Sequence, residues 1–144
     1  MLATLSLGTA VIAGTVLIHT VGLIVLTRSM TAILRWLPFH QRRFGRTSAM
    51  LFIVLGLFAI HTVEVWLWAA VYLTIGVSET FEAALYFSTT TFSTLGYGDM
   101  VLGEEWRLLG SLEGINGFLL IGWSTAYLVA ASTRHGPFRL GVHF

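Results

Sequence analysis

The chain has no cysteine, no lysine and only two prolines, and charged side chains make up 10% of its 144 residues. Without cysteine, disulfides and thiolate metal sites are excluded, and the redox compartment is unreadable. No long polar segment is present, which leaves no room for a soluble ligand-binding or catalytic domain. No cofactor fingerprint, nucleophile elbow or metal-ligand cluster appears, so an enzyme is not expected, and neither is a nucleic-acid partner. What remains is apolar: 56% of the residues are hydrophobic. A soluble core of this size cannot hide that much apolar surface, and a membrane is its natural solvent.

Three stretches are long and apolar enough to cross a bilayer, which takes about 20 helical residues. The first runs from about Leu5 to Thr27 and carries His19. The second runs from about Ala49 to Ile75 and carries His61 and Glu64. The third runs from about Trp106 to Ala131, with Arg107 near its start and Glu113 inside. Each must be helical, because an unpaired backbone group in lipid is too costly. No basic residue precedes the first run, so a retained helix is expected rather than a cleaved leader.

The charges orient the chain. Arg28, Arg35, Arg42, Arg43 and Arg46 lie between the first two stretches with no acid among them, and Arg134 and Arg139 follow the third. Glu79, Glu82, Asp99, Glu104 and Glu105 lie between the second and third. Arginine-rich short loops stay cytoplasmic. The N-terminus is therefore expected outside, the basic connector 28–48 and the tail 132–144 inside. Within Met30 to Phe44, apolar side chains mix with arginines. That pattern suits either an interfacial helix broken at Pro38 or a plain basic connector with aromatic anchors.

The acidic segment is no ordinary loop. Ser78 is a candidate N-cap, with Glu79 and Glu82 near the positive end of a short helix over 78–92. Phe81, Leu85, Phe87 and Phe92 give that helix apolar surface to bury, yet it is too short to span. A re-entrant element is expected, surrounded by protein or a water-filled pore. Next comes Ser93-Thr94-Leu95-Gly96-Tyr97-Gly98-Asp99. Glycines at alternate positions permit φ values closed to other residues. They let Thr94, Leu95, Gly96 and Tyr97 turn their carbonyls toward one axis. Four chains around it would stack rings of oxygen that replace a potassium ion's hydration shell.

Thr94 to Asp99 resembles the signature filter of the potassium-channel pore family. The resemblance covers 49–131 as outer helix (49–75), pore helix (78–92), filter (94–99) and inner helix (106–131), preceded by an extra transmembrane helix (1–27). It implies an all-α membrane protein with three transmembrane helices, a re-entrant pore helix and a selectivity filter, assembled as a homotetramer in the plasma membrane. By position, the carbonyls of Thr94, Leu95, Gly96 and Tyr97, with the Thr94 hydroxyl, would bind K+ as permeant ion, with no other cofactor. Gly98 completes the turn, and Asp99 would sit at the outer mouth. Tyr86 and Phe87 resemble an aromatic cuff around the filter, and the helix end near Thr91 would face a central cavity. Two positions depart from the pattern. Leu95 stands where valine or isoleucine is usual, and Thr90 where some relatives carry a carboxylate.

Glu64 and Glu113 are costly in a membrane, so each needs protein, water or a partner. Each lies roughly 10–17 Å from the outer end of its helix. Glu113 is expected to hydrogen-bond backbone or threonines behind the filter; the alternative puts Glu113 or Asn116 at the cavity wall. His61 and Glu64 share a helical face. A packed pair is expected there rather than a metal site, for which no further ligand is evident. His19 reads as an isolated interhelical contact. Gly110 and Gly114 read as close-packing positions and Gly117 as a gating hinge, while Leu120, Trp123, Ser124 and Tyr127 are candidates to line the inner pore or gate. Passive potassium conduction is the leading expectation. A weakly selective cation channel and a non-conducting scaffold or sensor subunit are the rivals.

Overall fold

The computed structural model describes residues 1–36, 43–135 and 141–142, with the side chains of 34–36, 43, 44 and 135 left aside. Four helices fill them: α1 (Leu2–Trp36), α2 (Arg43–Thr74), α3 (Phe81–Phe92) and α4 (Arg107–His135). Among the described residues there is no strand. Three segments are long and apolar enough to cross a membrane: Leu2–Ile33, Gly45–Thr74 and Arg107–Arg134. The chain is an all-α membrane protein. α1 continues past Thr27 to Trp36, and α4 past Ala131 to His135, so both helices carry arginines beyond their apolar limits. The expected break at Pro38, and Arg42 and Arg139, lie outside the described residues.

Local chemistry sets the helix ends around the acidic segment. α2 stops where Gly76 takes φ +75°. The Val77 amide donates to the Tyr72 carbonyl (3.0 Å) and the Gly76 amide to Leu73 (3.2 Å), the paired bonds of a glycine-terminated helix. α3 starts two residues later than Ser78 suggests. Thr80 is the N-cap, its hydroxyl accepting from the Ala83 amide at 3.2 Å, and Glu82 follows in the first turn. Glu79 therefore precedes the cap. With 12 residues, α3 is about 18 Å long, too short to cross a bilayer.

α1 packs on α2 and α4, and α3 packs on the same two helices from another side. Two apolar clusters hold the bundle. One gathers Trp68, Tyr72, Ala84, Phe87, Phe92, Leu109 and Leu120 around α3. The other gathers Leu23, Leu26, Met30, Ile53, Leu57 and Ala131 where α1, α2 and α4 meet toward the basic end. Lipid tails are as apolar as leucine, so packing alone discriminates poorly between registers, and buried polar ties add specificity. They recur down the bundle. Asn116 Nδ2 donates to Thr15 Oγ1 at 2.9 Å in the interior, and the more exposed Thr27 and Tyr127 hydroxyls meet at 2.9 Å.

Candidate functional site

The loop after α3 is held by its own backbone. The Thr94 amide donates to the Thr91 carbonyl and the Gly96 amide to the Thr90 carbonyl, both at 3.0 Å. Thr94, Gly96 and Gly98 have φ of +60°, +52° and +79°, whereas Leu95 and Tyr97, between them, are not in the positive region. The sign of φ thus alternates through five residues. Thr94 is the one non-glycine residue with positive φ among those described. A β-branched residue rarely adopts that region, and such local strain clusters at functional sites. The loop is exposed on the single chain, with Leu95 56% and Tyr97 68% accessible.

Asp99 closes the loop against α3. Tyr86 donates its phenolic proton to Asp99 Oδ2 at 2.7 Å, and Asp99 Oδ1 accepts from the Met100 amide at 3.1 Å. The hydrogen bond to that carboxylate holds the Tyr86 phenol above its ordinary pKa. Thr90, which stands where some relatives carry a carboxylate, bonds the Phe87 carbonyl (2.9 Å). Phe87 is buried, edge-on to Tyr72 with ring centroids 5.1 Å apart. Of the two expected cuff residues, then, Tyr86 ties the loop and Phe87 belongs to the core.

Behind α3, Glu113 is fully buried. It accepts hydroxyl protons from Tyr72 (2.7 Å) and Ser88 (2.5 Å). Its partners are not the backbone or threonines expected, and neither Tyr72 nor Ser88 was legible as a donor from local sequence. A signal existed: Glu64, Trp68 and Tyr72 recur at helical spacing on α2, and all three are fully buried. The carboxylate ties α2, α3 and α4 together and places the short helix at fixed depth.

The cavity and gate candidates require correction. Asn116, Leu120 and Ser124 are buried against the chain's own helices, Asn116 on Thr15 of α1 and Ser124 on His61 of α2. Residues enclosed within one chain stay enclosed in any assembly, so they do not line a central passage. Gly117 is also buried, and its Cβ position falls on the Phe92 carbonyl, whereas the neighbours of Gly110 are 3.3 Å or more away and that of Gly114 is 3.7 Å away. Of the α4 glycines, the most closely approached is therefore the expected hinge. Trp123 is 45% exposed with one face near His19. The open side of α4 instead carries Ile115, Phe118 and Leu119, each more than half exposed.

His19 is not isolated. Its Nδ1 lies 2.9 Å from Glu64 Oε1, while His61 Nδ1 lies 2.8 Å from Glu64 Oε2 and His61 Nε2 lies 2.9 Å from Ser124 Oγ. The third member of this group comes from α1, 45 positions away along the chain, where local spacing could not reveal it.

A model of the family described as "Ion channel" matches residues 60–134. No curated protein and no solved structure matches the chain.

Proposed function

The chain belongs to the ion channel family, and from that premise we propose that four copies assemble around one axis into a potassium-selective pore. The supporting observation is the alternating φ sign across Thr94 to Gly98, with the Thr94 and Gly96 amides bonded back to α3. In an extended strand successive carbonyls point to opposite sides. Reversing φ at every second residue undoes that alternation and brings successive carbonyls to one side. Four such loops would present rings of oxygen to a dehydrated cation, with the Thr94 hydroxyl contributing at the inner end.

The surroundings support this assignment. The C-terminal end of α3 carries partial negative charge from its unpaired carbonyls, which favours a cation on the axis below the loop. Asp99 raises the local cation concentration at the mouth. The exposed faces of the loop and of α4 are the apolar surface that neighbouring copies would cover. Residues 49–131 form the pore unit in this reading, with K+ as permeant ion, the N-terminus outside and the arginine-bearing ends in the cytoplasm of a cell membrane.

Purified protein in liposomes tests the proposal by potassium flux and by reversal potentials in mixed sodium and potassium. A reversal potential close to the potassium equilibrium value, with flux lost in Gly96→Asp, is the expected outcome. A value midway between the two ions would instead make this a weakly selective channel. Absence of current from a folded tetramer would make it a non-conducting subunit. Flux unchanged in Gly96→Asp would rule out the filter assignment.

A further inference from the structure

The buried trio His19, Glu64 and His61 is not used by the proposed pore. Ionisable groups inside a membrane are expensive and rarely idle. Here one carboxylate stands between two imidazoles, and one ligand atom from each residue lies within 4.8 Å of the others. His19 and Glu64 are fully buried, and His61 keeps a 20% exposed side chain. His19 Nε2 is buried with no hydrogen-bond partner. The nitrogen of His19 that faces the cluster is Nδ1, 2.9 Å from Glu64 Oε1.

We infer that His19, His61 and Glu64 form a binding site for a divalent transition-metal ion of the zinc type. Imidazole nitrogen with one carboxylate oxygen suits Zn2+ and its neighbours, whereas Mg2+ and Ca2+ seek all-oxygen shells. Bonds of about 2.0–2.1 Å in tetrahedral geometry separate ligand atoms by about 3.4 Å. The present separations, 2.9 Å from His19 Nδ1 to Glu64 Oε1 and 2.8 Å from His61 Nδ1 to Glu64 Oε2, run to the two different carboxylate oxygens, so the imidazoles withdraw by about half an ångström and the carboxylate turns to offer one oxygen to the ion. Three protein ligands leave a fourth position for water.

The outer shell is also in place. His61 Nε2 faces Ser124 Oγ at 2.9 Å. With metal on Nδ1, Nε2 carries the proton and the serine hydroxyl accepts it, which fixes ring and tautomer. Access is available from a cavity of about 460 Å³ between α2, α3 and α4, where His61 lines the wall with Thr89, Phe92 and Ser93. The ion would thus pin α1 to α2, and through Ser124 restrain α4. The site stands independently of what the pore conducts.

Cobalt substitution on the purified full-length protein in detergent tests the site without any transport assay. One Co2+ per chain is expected, with the intense visible bands of a four-coordinate ion, and Zn2+ should displace it. His19→Gln and Glu64→Gln should abolish the bands. Ser124→Ala, which spares every ligand, should weaken affinity by about 10–100-fold. Because a ligand variant can fail to fold, His61→Cys supplies a gain of signal. The chain has no cysteine of its own, so a thiolate-to-cobalt charge-transfer band in that variant assigns the site directly. Failure of wild type to bind Co2+, binding undiminished in His19→Gln, or a folded His61→Cys protein without the charge-transfer band would each overturn the inference.

Discussion

Gly117 of α4 lies against the carbonyl of Phe92, the last residue of α3, so closely that an added Cβ would overlap backbone atoms. Backbone cannot step aside as a side-chain tip can, so the missing methyl is what lets α4 seat the end of the short helix. Gly117→Ala is expected to destabilise the protein by about 1–3 kcal/mol. Gly110→Ala, whose nearest neighbours are side-chain atoms at 3.3 and 3.4 Å, should cost less. Thermal unfolding of both variants in detergent checks the order. If Gly117 were instead a free hinge, its substitution would leave the unfolding temperature unmoved and alter only opening.

Glu113 ties α3 to its neighbours through two hydroxyl donors, and the variants separate acceptor from volume. Glu113→Ala leaves Tyr72 without its acceptor inside the bundle, at a cost of about 1–3 kcal/mol, whereas the Ser88 hydroxyl still reaches the Val65 carbonyl at 3.0 Å. Glu113→Gln keeps a carbonyl acceptor of the same size and should retain more than half of that stability. A double-mutant cycle with Tyr72→Phe is expected to give a coupling of about 0.5–3 kcal/mol. Coupling near zero would mean that the 2.7 Å contact carries little energy.

The spans were legible in the sequence because a bilayer leaves helices as the only economical choice. Long apolar runs therefore announce themselves without knowledge of tertiary contacts. The loop at 94–98 was legible for a related reason: glycine at alternate positions is a backbone requirement written directly into residue type. The contacts of His19 were not legible, since its approach to Glu64 depends on the register between α1 and α2. That register is set by close packing such as Gly22 against Ile60 and Gly56 against Leu26, which hydropathy does not encode. The same limit explains Asn116 and Ser124. Their chemistry suggested a polar cavity, but which face of α4 turns inward is decided by neighbours.

The hydrogen bond from Tyr86 to Asp99 links α3 to the outer end of the loop across exposed surface. Tyr86→Phe removes this link while sparing every backbone oxygen. Under the proposed filter role, selectivity for potassium over sodium should persist, while sustained flux at low external potassium should decline faster than in wild type. Equal decay in the two proteins would show that the loop is held without this bond.

Gly96 separates a steric effect from a conformational one. Its φ is +52°, yet a Cβ added there would meet no atom of its own chain within 4 Å. The expected penalty for alanine is thus the left-handed backbone itself, about 1–2 kcal/mol for each copy. In the proposed ring of four copies that strain would be concentrated at one place, roughly 4–8 kcal/mol per pore. Relaxing it means returning φ to negative values, which swings the neighbouring carbonyl off the axis. Gly96→Ala should therefore assemble and unfold much as wild type does, because the loop contributes little to the core, while potassium flux falls by at least tenfold. Gly103→Ala, also open on all sides within the chain but with ordinary backbone, should conduct normally. Comparable flux in both alanine variants would show that positive φ at residue 96 is not required for ion passage.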